Sequence, residues 1–197
     1  MFFLTPALDL RLLLLVNQEW RCALFDAIMP VLSSKTALFI VLALAAGLAA
    51  LRLGKRQLLL VLVLLVGMGL SDAATGVVKS QINRVRPLNA LAGIYHHAHG
   101  VWERRPMDFV QTKEKGTSYP SAHAANSMCL AVLAMLLWPR LRRWPLLLPL
   151  LVGYSRLYLG KHYPTDVLAG WLLGLVVAGF VWLAWEYGLS RFFPGKN

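Results

Sequence analysis

Apolar residues in this chain are gathered into long runs, and the polar ones stand at the ends of those runs. Residues 57–78 and 167–189 are apolar over a length that can cross a bilayer core, which takes roughly 20 residues of helix for about 30 Å. The first run carries Asp72 and the second Glu186. Three more runs, 36–51, 124–138 and 144–154, are shorter and reach that length only with flanking residues. The pattern predicts an all-α, polytopic transmembrane helical bundle of five spans, forming one membrane-embedded domain over 1–197. Residues 1–34 are less regular. Asp9, Arg11, Glu19, Arg21 and Asp26 interrupt them, while Leu8, Leu12 and Leu15, with Leu13 and Val16, leave a wide apolar face at helical spacing. This segment predicts helices lying in the interface or, alternatively, a short sixth span. The same interruptions, with no clean small-residue cleavage site, argue against a removable signal peptide.

Composition strengthens the membrane assignment: 58% of residues are hydrophobic, 15% are charged, and the mean hydropathy is +0.58. A formal net charge of +11 raises nucleic acid as a partner. The cations, however, are grouped at span ends and beside histidines, with no nucleic-acid motif, so an anionic substrate and anionic headgroups account for them better. Cys22 and Cys129 do not make a disulfide framework. Alternation along the spans puts the basic loops at 52–56 and 138–144 and the C-terminal tail with Arg191 and Lys196 on one face. Short basic loops are normally cytoplasmic, which sets the opposite face on the periplasmic or extracellular side, although that face holds 12 of the 20 Lys and Arg residues, several of them expected at the phosphate or in the long loop. Gly170, Gly174 and Ala178 form a small-residue stripe that lets a helix approach closely, within the bundle or at a dimer face. Asp72 shares a helical face with Lys79, and either orients a site cation or ties two helices together.

Three polar clusters carry candidate chemistry. The stretch from Ser155 to Asp166 places Ser155, Arg156, His162 and Asp166 in one short junction between apolar runs. An arginine fork binds phosphate oxygens, and a histidine attacks phosphorus if its other ring nitrogen is held. Asp166, four residues on, can accept the Nδ1–H, and Pro164 suits the first turn of a new helix. A polar turn between two membrane helices would look the same. In Lys79 to Pro87, Lys79 and Arg86 are seven residues apart, so a helix continuing to Pro87 would set both on one face. Taken alone, this is also the pattern of a snorkelling helix end. In Ser118 to His123, Pro120 and Ser121 mark a helix start whose first-turn N–H groups suit an anion, with His123 beside it. A lone histidine there is more often structural. Together the clusters supply three cations, two histidines, a carboxylate and a helix N-terminus, an inventory for metal-free phosphoryl transfer.

In that order the three clusters, Lys-x6-Arg-Pro, Pro-Ser-Ala-His and Ser-Arg-x5-His-x3-Asp, resemble the type 2 phosphatidic acid phosphatase (lipid phosphate phosphatase) family, in its bacterial membrane-bound form. They run from Lys79 to Asp166. The resemblance implies that His162 is the nucleophile, forming a phosphohistidine, that Asp166 orients it, and that His123 protonates the departing lipid oxygen. It implies that Lys79, Arg86, Arg156 and Ser121, with Ala122 beside them, hold the phosphoryl oxygens. Ser155, Pro87 and Pro120 support the site, and neither a metal nor another cofactor is implied. Ala122 stands where the family usually has glycine, which adds a methyl beside the phosphate. The implied substrate is a membrane lipid phosphate, first undecaprenyl diphosphate. Alternatives are phosphatidylglycerophosphate, phosphatidic acid or lipid A, transfer to another lipid, or a non-catalytic lipid-phosphate binder. The implied location is the bacterial inner membrane with the site on its outer side. Residues 88–119 form a long polar loop expected to act as a lid, with Arg104 and Arg105 available to a second phosphate or an anionic lipid. His96, His97 and His99 raise zinc, but no fourth ligand stands at a fitting spacing.

Overall fold

The computed structural model describes residues 5–34, 54–111 and 113–189, with a few isolated positions between 36 and 51. The expected span at 36–51 therefore falls almost wholly outside the described residues, as does the basic tail. The described chain is mostly helical. Helices α1 (Ala7–Leu14) and α2 (Ala23–Leu32) flank a π-helical turn at Leu15–Glu19. Helix α3 (Gly54–Ile82) is followed by α4 (Ala122–Leu137), α5 (Leu147–Tyr158) and α6 (Pro164–Ala184). Against an all-α expectation, the loop after α3 holds a two-stranded antiparallel hairpin, β1 (Tyr95–Ala98) and β2 (Val101–Arg104).

Two segments, one within Arg56–Asn89 that contains most of α3 and one at Pro164–Gly188 that contains α6, are long and apolar enough to cross a membrane. At 16 and 12 residues, α4 and α5 fall short of a full crossing by themselves. Pro139 cannot continue α4, and 3-10 turns at Pro139–Leu141 and Trp144–Leu146 separate it from α5. Helices α1 and α2, at 8 and 10 residues, are each shorter than a bilayer crossing. Leu13 and Met29 of these helices and Val16 of the turn between them are buried, while Leu24, Ile28 and Val31 face outward as an apolar strip, as on an interfacial helix. Along α3, Leu58, Leu62, Val66 and Leu70 recur every fourth position and are all exposed, and Leu168, Leu172, Val176 and Phe180 do the same on α6. In water such stripes would be a large apolar patch; in a bilayer they are the lipid-facing surface.

Helix α4 lies between α3 and α6. A side chain at Gly174 would collide with the carbonyl of Ala125, and one at Gly170 would come within 2.5 Å of the Ser121 carbonyl. The small-residue stripe thus packs inside the bundle, letting the backbones of α4 and α6 touch. Asn126 donates to Asp72 at 3.3 Å, so that carboxylate ties α3 to α4. The hairpin turns at His99 and Gly100, whose φ values of 50° and 85° suit a two-residue loop. It is fastened to the N-terminal segment. Asn17 brackets Tyr95 through its N–H and its carbonyl, Trp102 donates to the Asp26 carbonyl, and the Arg21 guanidinium lies 4.4 Å from the Tyr95 ring and 4.1 Å from that of Trp102.

Candidate active site

Three sets of backbone hydrogen bonds gather the clusters. Gly116 and Ser118 donate to the Asn83 and Arg84 carbonyls, joining the first cluster to the second. This pairing needs a glycine, because a Cβ at Gly116 would sit 2.6 Å from both the Arg84 oxygen and the Val85 Cα. Leu88 donates to the Gly160 carbonyl at 2.9 Å, joining the first cluster to the third. Ser121 donates to the Asp166 carbonyl at 2.9 Å, joining the second to the third.

The third cluster does not lie wholly in a loop. Helix α5 runs on through Tyr158, so Ser155 and Arg156 sit in its last turn. The Ser155 hydroxyl donates to the Val152 carbonyl within its own helix. The chain reverses at Gly160, φ 61°, where a Cβ would lie 2.5 Å from Ile94 and 2.9 Å from the Tyr95 oxygen. Only glycine suits a left-handed turn with that little room. Lys161 and His162 then donate their N–H groups back to Arg156, and Pro164 opens α6 as expected. Asp166, in the first turn, accepts from the Tyr163 N–H at 2.9 Å.

His162 is 1% exposed. Its Nδ1 lies 2.7 Å from the Ser118 carbonyl and 3.6 Å from Asp166 Oδ2. A carbonyl only accepts, so Nδ1 carries the proton and Nε2 keeps its lone pair. The tautomer expected from Asp166 is present, but the bond that fixes it runs to Ser118. Asp166 acts one step behind, accepting the Ser118 hydroxyl at 2.5 Å. Burial, aided by Arg156 and Arg86 and opposed by Asp166, lowers the His162 pKa to about 4, so the ring is neutral near pH 7.

Around it lie the cations. Arg156, 3% exposed, donates to the Ser33 hydroxyl and keeps a buried Nε with no hydrogen-bond partner. Arg86 also has a buried, unpartnered Nε and reaches Thr117 at 3.4 Å. It is not on the face of α3, as a continuing helix would have made it. The helix stops at Ile82, Asn83 turns left-handed at φ 55°, and Arg86 is extended ahead of the buried Pro87. Lys79, half-buried, does stand in the last turn of α3. Lys161, absent from the sequence-derived site, is a further cation whose pKa falls to about 8 through burial and repulsion from Arg156 and Arg86. Ser121 is the buried N-cap of α4, accepting from the Ala124 N–H at 3.4 Å, with Pro120 buried before it and Ala122 and His123 half-buried in the first turn.

The sequence also missed a buried network behind the histidine. Arg84 donates to Asp166 Oδ1 and to Thr165, each at 2.7 Å, and to Asp9 Oδ2 at 2.5 Å. Asp9 accepts from the Thr165 N–H at 2.8 Å and from its hydroxyl at 2.7 Å. A buried carboxylate in an apolar helix such as α1 calls for a cation, and Asp9 was the available signal. The hairpin histidines diverge: His96 approaches Glu103 at 3.3 Å, His97 stacks edge-on to Trp102, and His99 sits exposed in the turn. Beside the cup an open apolar groove of about 290 Å³ runs between α3 and α6, lined by Val78, Tyr119, Pro120, Leu172 and Val176 among others.

These features define a class first: a helical membrane protein whose cationic cup surrounds a neutral, oriented imidazole. Residues 60–189 match the PAP2 superfamily, and the chain belongs to that family. It is 42% identical over 80 residues to an undecaprenyl-diphosphatase of Sulfolobus acidocaldarius, a match covering 36% of this chain and 37% of that protein. The matched stretch thus spans little more than a third of that relative. In fold the chain is similar to LpxE of Aquifex aeolicus, with a TM-score of 0.69 at 24% identity, covering 93% of this chain and 99% of that one. It is also similar to a transmembrane PAP2-type phosphatidylglycerolphosphate phosphatase from Bacillus subtilis, with a TM-score of 0.62 at 25% identity, covering 97% and 88% of the two chains.

Proposed function

We propose that this protein is a membrane lipid phosphatase that works through a phosphohistidine at His162. The observation that carries the reading is the Nδ1–Ser118 hydrogen bond, which leaves an unprotonated Nε2 in a cup of Arg86, Arg156 and Lys161. Nε2 attacks the phosphorus, the bond to the lipid oxygen breaks, and His123 gives that oxygen a proton. Water then attacks the phosphohistidine and returns a proton to His123. Phosphate leaves, and the lone pair on Nε2 is restored. Lys79, Arg86, Arg156 and the N-terminus of α4 at Ser121 neutralise the phosphoryl oxygens throughout. Asp166 and Ser118 keep the proton on Nδ1.

The substrate favoured is undecaprenyl diphosphate, on the similarity to the Sulfolobus undecaprenyl-diphosphatase; the Bacillus likeness supports phosphatidylglycerophosphate as the competing choice. The groove between α3 and α6 suits a lipid chain reaching the cup from within the bilayer. In this reading the chain crosses five times and the cup opens on the periplasmic side. The test is phosphate release from a panel of lipid mono- and diphosphates by the purified protein, with and without chelator. Wild type releases phosphate in chelator, and His162→Ala releases none while keeping its helical circular dichroism. Substantial turnover by that variant removes the nucleophile assignment.

A further inference from the structure

We propose that Arg84, clamped by Asp9, is a positioning residue for phosphoryl transfer: it holds Asp166 against Ser118 and thereby holds the bond that orients His162. The inference rests on the phosphohistidine reading and deepens it. Its basis is a continuous chain of contacts between buried groups. Asp9, Arg84, Ser118, His162 and Asp166 are each no more than 3% exposed. Asp9 binds Arg84 at 2.5 Å, Arg84 binds Asp166 at 2.7 Å, Asp166 binds the Ser118 hydroxyl at 2.5 Å, and the Ser118 carbonyl meets Nδ1 at 2.7 Å. Each carboxylate oxygen of Asp166 is engaged: Oδ1 by Arg84, and Oδ2 by Ser118 and the Tyr163 N–H. Asp166 therefore cannot shift toward His162 without breaking a bond to its clamp. The Arg84 guanidinium is itself fixed on three sides, by Asp9, by Thr165 and by the Tyr163 ring 3.9 Å from its centre.

The charges around the imidazole make the arrangement testable. His162 is faced by Asp166 from α6, Arg156 from α5 and Arg86 from the first cluster, with Lys161 next to it in the chain. Behind Asp166 stand Arg84 and then Asp9 from α1. Arg84 thus offsets the one negative charge that favours protonating His162. Removing it leaves that charge uncompensated, and removing Asp9 as well restores part of the balance.

The experiment measures kcat, KM and the acid limb of the pH–rate profile for a lipid phosphate that wild type hydrolyses. Arg84→Met is expected to lower kcat about 100-fold with KM within about threefold, as for a displaced reacting group. It should also raise the acid limb by about one pH unit. Arg84→Lys should return the limb to its wild-type position without recovering full kcat, because an ammonium is not a fork. Arg84→Met with Asp9→Asn should bring the limb back toward wild type while kcat stays low. That double variant also spares the fold two facing carboxylates, so it decides the matter if the single variant does not fold. Wild-type kcat in Arg84→Met or in the double variant, or an acid limb that Arg84→Met leaves at its wild-type position despite a loss of activity, overturns the positioning role. Absence of phosphate release by wild type would instead overturn the phosphohistidine reading beneath it.

Discussion

Lowering the pH offers a direct check on the state of His162. Enclosure of the ring, with Arg156 and Arg86 nearby, lowers its pKa to about 4 despite Asp166. In the proposed mechanism the neutral form attacks, so activity should fall on the acid side only as the ring takes a proton on Nε2. At pH 5.5 a ring with a pKa of about 4 is about 97% neutral, whereas an ordinary one near 6.5 would be about 9% neutral. The two cases differ about tenfold in kcat/KM at that pH. The assay is phosphate release under kcat/KM conditions from pH 3.5 to 9, which reports the free enzyme. Each acid sample should be returned to pH 7 and reassayed, so that unfolding is not mistaken for titration. The alkaline limb has a separate cause, loss of the Lys161 charge, whose pKa is about 8. An acid limb with its midpoint near 6.5 would falsify the buried, neutral imidazole and the geometry that derives from it.

Two further perturbations probe the packing and the cup. Gly174→Val drives a side chain into the Ala125 backbone and should cost more than the roughly 1–3 kcal/mol of ordinary overpacking, because a backbone cannot swing aside. Gly179→Ala, with nothing within 4 Å, should be neutral or stabilising by up to about 1 kcal/mol. Thermal unfolding in detergent separates the two, and equal melting temperatures would contradict the close packing of α4 on α6. Ala122→Gly removes one methyl from the first turn of α4 and should leave kcat within about threefold on the best substrate while widening the range of headgroups accepted. The same lipid panel reads it out, and an unchanged range would show that this methyl does not touch the substrate.

What the sequence could reveal was set by distance along the chain. The junction around His162 was legible because its cues are local: Pro164 opens a helix, and Asp166 follows His162 by one turn. Likewise Pro120 and Ser121 announce the start of α4. Arg84 was visible as a cation but not as a partner of Asp166, since 82 residues separate them and no local pattern encodes that pairing. The Nδ1 acceptor was hidden for another reason. It is a backbone carbonyl, and any residue at position 118 would have supplied one; only the serine hydroxyl, bound to Asp166, was a specific clue. The hairpin escaped notice because its strands are four residues each and His96, His97 and His99 drew a ligand reading. Its signal was the turn pair His99-Gly100 between short runs of aromatic and β-branched residues.

Residues 5–34 show how a feature that looks like noise becomes structure. In a helix floating in an interface, polar side chains pointing inward have no purpose, and a buried one without a partner costs about 1–3 kcal/mol. Here three of them each find a different part of the cup. Asp9 meets Arg84 and the start of α6 at Thr165, Asn17 joins Tyr95 of the hairpin to the Tyr158 carbonyl, and Ser33 receives Arg156. Because Arg156 is buried and cationic, a wall without Ser33 would leave it with one fewer acceptor beside a neutral imidazole. The N-terminal segment is therefore a part of the site that closes its back and holds its charges in place. Its polar residues interrupt the apolar pattern for that reason, and its outward apolar strip remains free to meet lipid.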